Sequence, residues 1–152
     1  MLYRRFQPSD LAQLYAIEEA CFQPPFRFSR DYMHELVLST TTATWIAEEN
    51  GRMAGFAIVD LDPAAGKAVA YIQTIEVAPE WRGQGIGHAL LYRMESSARE
   101  ANARTVWLHV DVENSAAIRL YESHGYIRQR RAENYYARNR AAFVYAKPLT
   151  ET

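Results

Sequence analysis

Three glycines within Arg82-Gly83-Gln84-Gly85-Ile86-Gly87 form the segment most suited to chemistry. They lie between a run ending Ile75-Glu76-Val77-Ala78-Pro79 and a stretch with Leu90, Leu91 and Met94 at helical spacing. Such glycines let the backbone turn tightly and approach a ligand. The free N–H groups of the following helical turn then converge on one spot, which favours phosphate oxygens. Arg82 can add a charge-assisted contact, and His88 sits at the helix start beside it. Two common phosphate loops fail on spacing. A Walker A loop needs a lysine that is absent here, and a dinucleotide fingerprint counted from Gly83 needs glycine where His88 stands.

His109 is the candidate for moving a proton. His109 shares a strand face with Trp107 and Asp111, and imidazole titrates nearest neutrality. Tyr121 lies seven residues after Asn114, two helical turns, so both side chains fall along one face. The single Cys21 lies on the inward side of a helix, which argues against a covalent cysteine mechanism. No His, Cys, Asp or Glu grouping has metal-ligand spacing, so no metal is expected.

These residues need elements to hold them. Leu2–Phe6 reads as a strand. Ser9 or Asp10 caps a helix carrying Leu11, Leu14, Ile17 and Cys21, which Pro24-Pro25 ends. Ser29 caps a second helix with Tyr32, Met33, Leu36 and Val37 inward. Strands 42–48 and 52–60 flank Asn50-Gly51, a strong hairpin signal. Asp62-Pro63 through Gly66 reads as a turn before strand 68–77. A helix then spans about 85–101, strand 105–112 follows, and Asn114 caps a short helix ending near Gly125. Strands 126–131 and 142–147 close the chain, joined by a polar connection rich in Arg and Tyr. This order implies an α/β fold with a mixed, mostly antiparallel sheet of about seven strands and about four helices. Strand 68–77, helix and strand 105–112 form a parallel crossover unit.

The 152 residues suit one domain, 1–152, at roughly 150 residues per domain. With 49% hydrophobic and 23% charged residues, a disordered chain is excluded. One cysteine excludes a disulfide framework. No apolar run is long enough for a membrane span, and the start lacks a signal-peptide pattern, so a soluble cytoplasmic protein without membrane partners is expected. The net charge of −1 argues against direct nucleic-acid binding. Fifteen of the seventeen basic residues are Arg, and 119–140 has a local positive excess. Arg128, Arg130, Arg131, Arg138 and Arg140 read as a solvated face, or as a contact for an acidic substrate segment or for RNA beside the substrate.

Arg82-x-x-Gly-x-Gly, together with Asn114-Ser-Ala-Ala-Ile-Arg-Leu-Tyr121, resembles the coenzyme A signature and second cofactor helix of the GNAT acetyltransferase superfamily. The element order matches that fold over essentially the whole chain. The resemblance implies acetyl-CoA as cofactor, contacted by Ile75, Val77, Arg82, Gly83, Gln84, Gly85, Ile86, Gly87, His88, Asn114, Ala117 and Tyr121. It also implies that Tyr121 donates to the departing sulfur, and that a backbone N–H near Ile75 or Val77, where the family splays its strands, polarises the carbonyl.

Within the superfamily the chain is most similar to protein N-terminal acetyltransferases, of the RimI type and of the NatE catalytic-subunit type. Tyr71-Ile-Gln-Thr, Leu108-His109-Val110 and Asn134-Tyr135-Tyr136 carry this closer match. The NatE resemblance gives Tyr71 and His109 a role in removing a proton through ordered water. It makes Tyr135 and Tyr136 a lid over a substrate N-terminus. Phe22, Pro24, Pro25 and Phe26 resemble the substrate loop. The RimI type has a glutamate at the position of His109, so this chain departs from that pattern. The implied partner is a protein or peptide N-terminus, a ribosomal protein among the candidates. The alternatives are a small amine or lysine side chain as acceptor, or an acyl-CoA-binding module without turnover. The joint presence of Asn114, Tyr121, His109 and Tyr71 argues against the module.

Overall fold

The computed structural model describes residues 1–61 and 68–149. The expected turn at 62–66 lies outside the described residues. The elements are β1 (Leu2–Arg5), α1 (Leu11–Cys21), α2 (Arg30–Leu38), β2 (Thr42–Glu49), β3 (Arg52–Asp60), β4 (Val69–Val77), α3 (Ile86–Glu100), β5 (Thr105–Asp111), α4 (Ser115–Ser123), β6 (Ile127–Ala137) and β7 (Arg140–Pro148). They build one seven-stranded sheet in the order β1-β2-β3-β4-β5-β7-β6. Every neighbouring pair is antiparallel except β4 and β5, the parallel pair that the α3 crossover requires.

The sheet is covered on both faces. β3 shows why this works, because it is apolar on both sides. Ala57 and Val59 join the core formed with Leu90, Leu91 and Met94 of α3, while Phe56 and Ile58 join Leu14 and Ile17 of α1 and Met33 and Leu36 of α2. Fully burying each large side chain contributes about 1.5–3 kcal/mol. Ser29 caps α2 as expected, its Oγ accepting the Tyr32 N–H at 3.1 Å.

Three expectations need correction. Tyr32 is not inward but 41% exposed, lying beside Phe28 on the outer side of α2. Asp10 stands at the N-cap position of α1 but its side chain makes no cap bond: the carboxylate turns back to the Gln7 N–H at 2.7 Å and pairs with Arg4 at 2.8 Å. The Arg- and Tyr-rich connection is not a loop. β6 and β7 run to a tight turn at Arg138-Asn139, with Ala137 paired to Arg140. β6 is the edge strand and almost wholly exposed, so its residues show no apolar alternation. Asn134, at φ 54°, lies where the β6–β7 register shifts, and its Oδ1 accepts the Asn139 N–H at 2.7 Å.

Candidate active site

The sheet splits at its centre. β4 and β5 pair only from Val69–Thr105 to Ile72–Leu108. Beyond that, β4 continues against β3 to Val77, and β5 continues against β7 to Asp111. The Ala78 N–H donates to Ala54 O on the β3 side. By alternation the backbone groups of Ile75 and Val77 face the split. A Cβ on Gly55 would stand 2.5 Å from Glu76 O, so glycine is needed for β3 to press this closely on β4. A cavity of about 960 Å³ fills the split and extends to the start of α3.

At one end lies the glycine turn. Gly83 and Gly85 have φ of 79° and 80°, left-handed conformations that glycine adopts without strain. A Cβ at either position would project into open space, so the strain lies in the backbone alone. The first backbone hydrogen bond of α3 runs from Ala89 N–H to Gly85 O. The N–H groups of Ile86, Gly87 and His88 therefore lie free at the helix start, as an anion cradle requires. α4 forms the facing wall with Ala116, Ala117, Leu120 and Tyr121. Asn114 caps that helix, its Oδ1 accepting the Ala117 N–H at 3.2 Å. His88 Nδ1 and His124 Nε2 stand 2.7 Å apart, joining the start of α3 to the end of α4.

At the other end the walls are aromatic. His109 Nδ1 is 2.9 Å from the Tyr71 hydroxyl. The Tyr135 ring stacks on His109 at 4.0 Å and 9°. Tyr135 meets Tyr136 edge-on at 4.9 Å, and Tyr136 meets Phe26 of the 22–28 loop at the same distance. Burial, then nearby Arg130, lowers the His109 pKa, so the ring is neutral at pH 7. Burial foremost, then the Tyr135 phenol, pushes Tyr71 far above the ordinary tyrosine range. Tyr121 is raised as well, chiefly by burial, and keeps its proton. Its hydroxyl has no hydrogen-bond partner among the described residues. Burial likewise raises the Cys21 thiol, which stays protonated and is no nucleophile.

Most of the expected site residues meet at this cavity: Ile75, Val77, Arg82, Gly83, Gly85, Ile86, Gly87, His88, His109, Asn114, Ala117, Tyr121, Phe22, Phe26 and Tyr136. Tyr71 stands behind His109 rather than on the wall, and Tyr135 covers the same ring from the other strand. Gln84, Pro24 and Pro25 do not border the cavity. Arg82 borders it, yet its guanidinium donates to Val77 O at 3.1 Å and reaches Cys21 Sγ at 3.4 Å, leaving backbone N–H groups to form the cradle. Glu18, Thr74 and Glu76 also line the cavity and were not expected there. Their signal was an acidic residue four positions after Leu14 on a buried helical face, and another alternating with Thr74 and Ile72 on a strand. Among the described residues no group of three or more His, Cys, Asp or Glu could hold a metal ion. None of the described helices is long and apolar enough to cross a membrane.

A mixed sheet split beside a glycine-bounded helix start defines a fold class, and comparison with known proteins names it. The model of the acetyltransferase (GNAT) family matches residues 11–126, and the chain belongs to that family. It is 40% identical over 90 residues to the ribosomal protein bS18-alanine N-acetyltransferase of Escherichia coli strain K12, covering 58% of this chain and 57% of that enzyme. The alignment thus spans little more than half of that relative. A Bacillus subtilis protein provisionally given the same name is 31% identical over 139 residues, 90% of this chain and 87% of that one. The crystal structure of the Escherichia coli ribosomal-protein-S18-alanine N-acetyltransferase superposes with a TM-score of 0.86 at 28% identity, covering 99% of this chain and 95% of that one. Arabidopsis thaliana NAA60, solved in complex with acetyl-CoA, shares the fold at TM-score 0.83 and 22% identity over 97% of this chain and 98% of that one.

Proposed function

We propose that this chain is an acetyl-CoA-dependent N-acetyltransferase whose acceptor is the α-amino group of a protein or peptide N-terminus. The observation that carries this reading is one cavity with two chemically distinct ends, a backbone anion cradle and a neutral, half-buried imidazole walled by aromatic rings. The names of the Escherichia coli and Bacillus subtilis relatives support the acceptor class, in which a ribosomal protein is one member.

The residues present fit the cofactor. Free N–H groups at 86–88 suit its diphosphate, and the small side chains of Ala116 and Ala117 leave room for a narrow arm along α4. When bound, acetyl-CoA supplies a thioester whose acetyl group passes to the amine while the sulfur leaves. The N–H groups of Ile75 and Val77, turned into the split, stabilise negative charge on the acetyl oxygen. Tyr121, protonated and with no hydrogen-bond partner among the described residues, donates a hydrogen bond or its proton to the departing sulfur. Its raised pKa keeps that proton in place until negative charge develops there.

His109 receives the amine proton, directly or through one water. With hydrogen on Nδ1 and donated to the Tyr71 oxygen, Nε2 is free to accept. Tyr71 is thus a positioning residue for the imidazole. This modest base matches an α-amine: at pH 7 deprotonation costs about 1.4 kcal/mol for an α-amine and about 4.6 kcal/mol for a lysine. Phe22, Phe26, Tyr135 and Tyr136 enclose the entering N-terminus.

The test pairs acetyl-CoA titration with an acetylation assay on peptides with free and with blocked N-termini. Saturable binding and acetylation of the free peptides only is the expected result. Acetylation of a blocked, lysine-containing peptide alone would remove the α-amine reading.

A further inference from the structure

Two carboxyls on the acceptor side have no part in the transfer described above. Glu18 of α1 and Glu76 of β4 are 0% and 3% exposed, and both line the cavity. Each has one anchored oxygen. Glu18 Oε2 accepts the Phe28 N–H at 3.0 Å, and Glu76 Oε2 accepts the Thr74 hydroxyl at 2.8 Å. Each also has a second oxygen, Oε1, buried with no donor among the described residues. The two carboxyls border the same cavity within electrostatic reach of each other. Two carboxylates cannot both ionise in such a setting, whereas one proton held between them satisfies both.

We propose that Glu18 and Glu76 share one proton, and that this acid–carboxylate hydrogen bond is the clamp seating the 22–28 loop against β4. The inference rests on the reading of that loop as part of the acceptor wall. The clamp reaches the loop through Phe28, whose N–H is held by Glu18 and whose carbonyl accepts the Tyr15 hydroxyl at 2.9 Å. Arg27 Nε closes the other side of the loop by donating to Phe22 O at 2.9 Å. Phe22 and Phe26 therefore depend on this seat for their place at the cavity.

Burial and the neighbouring Glu18 push the Glu76 carboxyl well above the ordinary carboxylate range, with the Thr74 hydroxyl opposing. The titratable groups facing the pair are the Cys21 thiol from α1 and the Tyr121 phenol from α4; Arg82, from the turn after β4, reaches Cys21. Cys21 and Tyr121 are themselves raised, so both are neutral around the pair. The folded chain holds the shared proton more tightly than the unfolded one. Its stabilising effect is therefore complete below the ordinary value of 4.5 and is lost as pH rises until the proton leaves. Two repelling carboxylates then free Phe28. Glu18 and Glu76 are positioning residues, acting on the acceptor through the loop.

The experiment is amide exchange at the Phe28 N–H, corrected for its intrinsic pH dependence, together with acceptor KM from about pH 6 to about pH 10. In the parent protein, protection falls at least about tenfold with rising pH and KM rises, while kcat holds steady. Glu76→Gln keeps the hydrogen bond with an amide that does not titrate, so Phe28 protection becomes flat and KM keeps only the pH dependence of the acceptor's own amine. Glu18→Gln makes the same test from the other partner should Glu76→Gln fail to fold. Flat protection in the parent, or the parent's slope persisting in Glu76→Gln, would overturn the proposal. So would a loss of kcat with unchanged KM in Glu76→Gln, which would place Glu76 in the proton transfer itself. If acetyl-CoA binds but no peptide is acetylated, the acceptor reading fails while Phe28 exchange still decides the clamp.

Discussion

The cradle draws its donors from consecutive residues at the start of α3, whereas the aromatic wall gathers side chains from the 22–28 loop, β4, β5 and β6. Its polar contact from Tyr71 to His109 joins residues 38 positions apart. The cradle depends on backbone conformation at Gly83 and Gly85, and its side chains are secondary: Arg82 is turned toward Cys21. The aromatic end depends on ring against ring and on proton positions tuned by burial. A site made of backbone tolerates side-chain change and fails when φ is forced. A site made of packed side chains fails when any one ring or proton is removed.

That contrast can be broken at several points. His109→Ala is expected to lower kcat by about 100-fold or more and leave CoA affinity within about twofold, measured by steady-state kinetics and calorimetry. The same variant tests the pH profile. Burial lowers His109 below the ordinary 6.5, so it is neutral and active down to lower pH than a free imidazole. The parent's kcat/KM then falls with acid only below about pH 6.5, and the variant loses that limb.

Smaller effects follow. Tyr121→Phe lowers kcat by about tenfold with CoA binding intact. Gly85→Val forces a β-branched residue to φ 80° and does the reverse, weakening CoA binding by about tenfold through roughly 1–2 kcal/mol of backbone strain. Tyr135→Ala removes the ring stacked on His109 and raises acceptor KM by about fivefold. His88→Gln, a side-chain change at a backbone site, weakens CoA binding only about threefold. A larger loss in His88→Gln than in Gly85→Val would erase the distinction between the two ends.

The same division explains what could be read from the sequence. Asn50-Gly51, the glycine turn, Ser29 and Asn114 act through local backbone geometry, and each stands where its residue type implies. Features made by distant packing were hidden. β6 is an edge strand whose Arg and Asn residues are exposed while Tyr135 and Tyr136 meet His109 and Phe26, so nothing in its pattern marks a strand. Tyr32 fits an apolar helical stripe by type but lies beside the core rather than in it. Glu18 and Glu76 look like ordinary surface acids until the fold buries one against the other. Tyr71, to which the resemblance gives a part in proton removal through ordered water, stands behind His109 with its hydroxyl on the ring, a placement only the fold shows.

The most direct measurement is fragmentation mass spectrometry of one peptide carrying a free α-amine and an internal lysine, after incubation with the chain and acetyl-CoA. A single acetyl group on the α-nitrogen is the predicted product, absent when His109 is replaced by Ala. Acetyl on the lysine alone, or an unmodified peptide in the presence of saturating, bound acetyl-CoA, would contradict it.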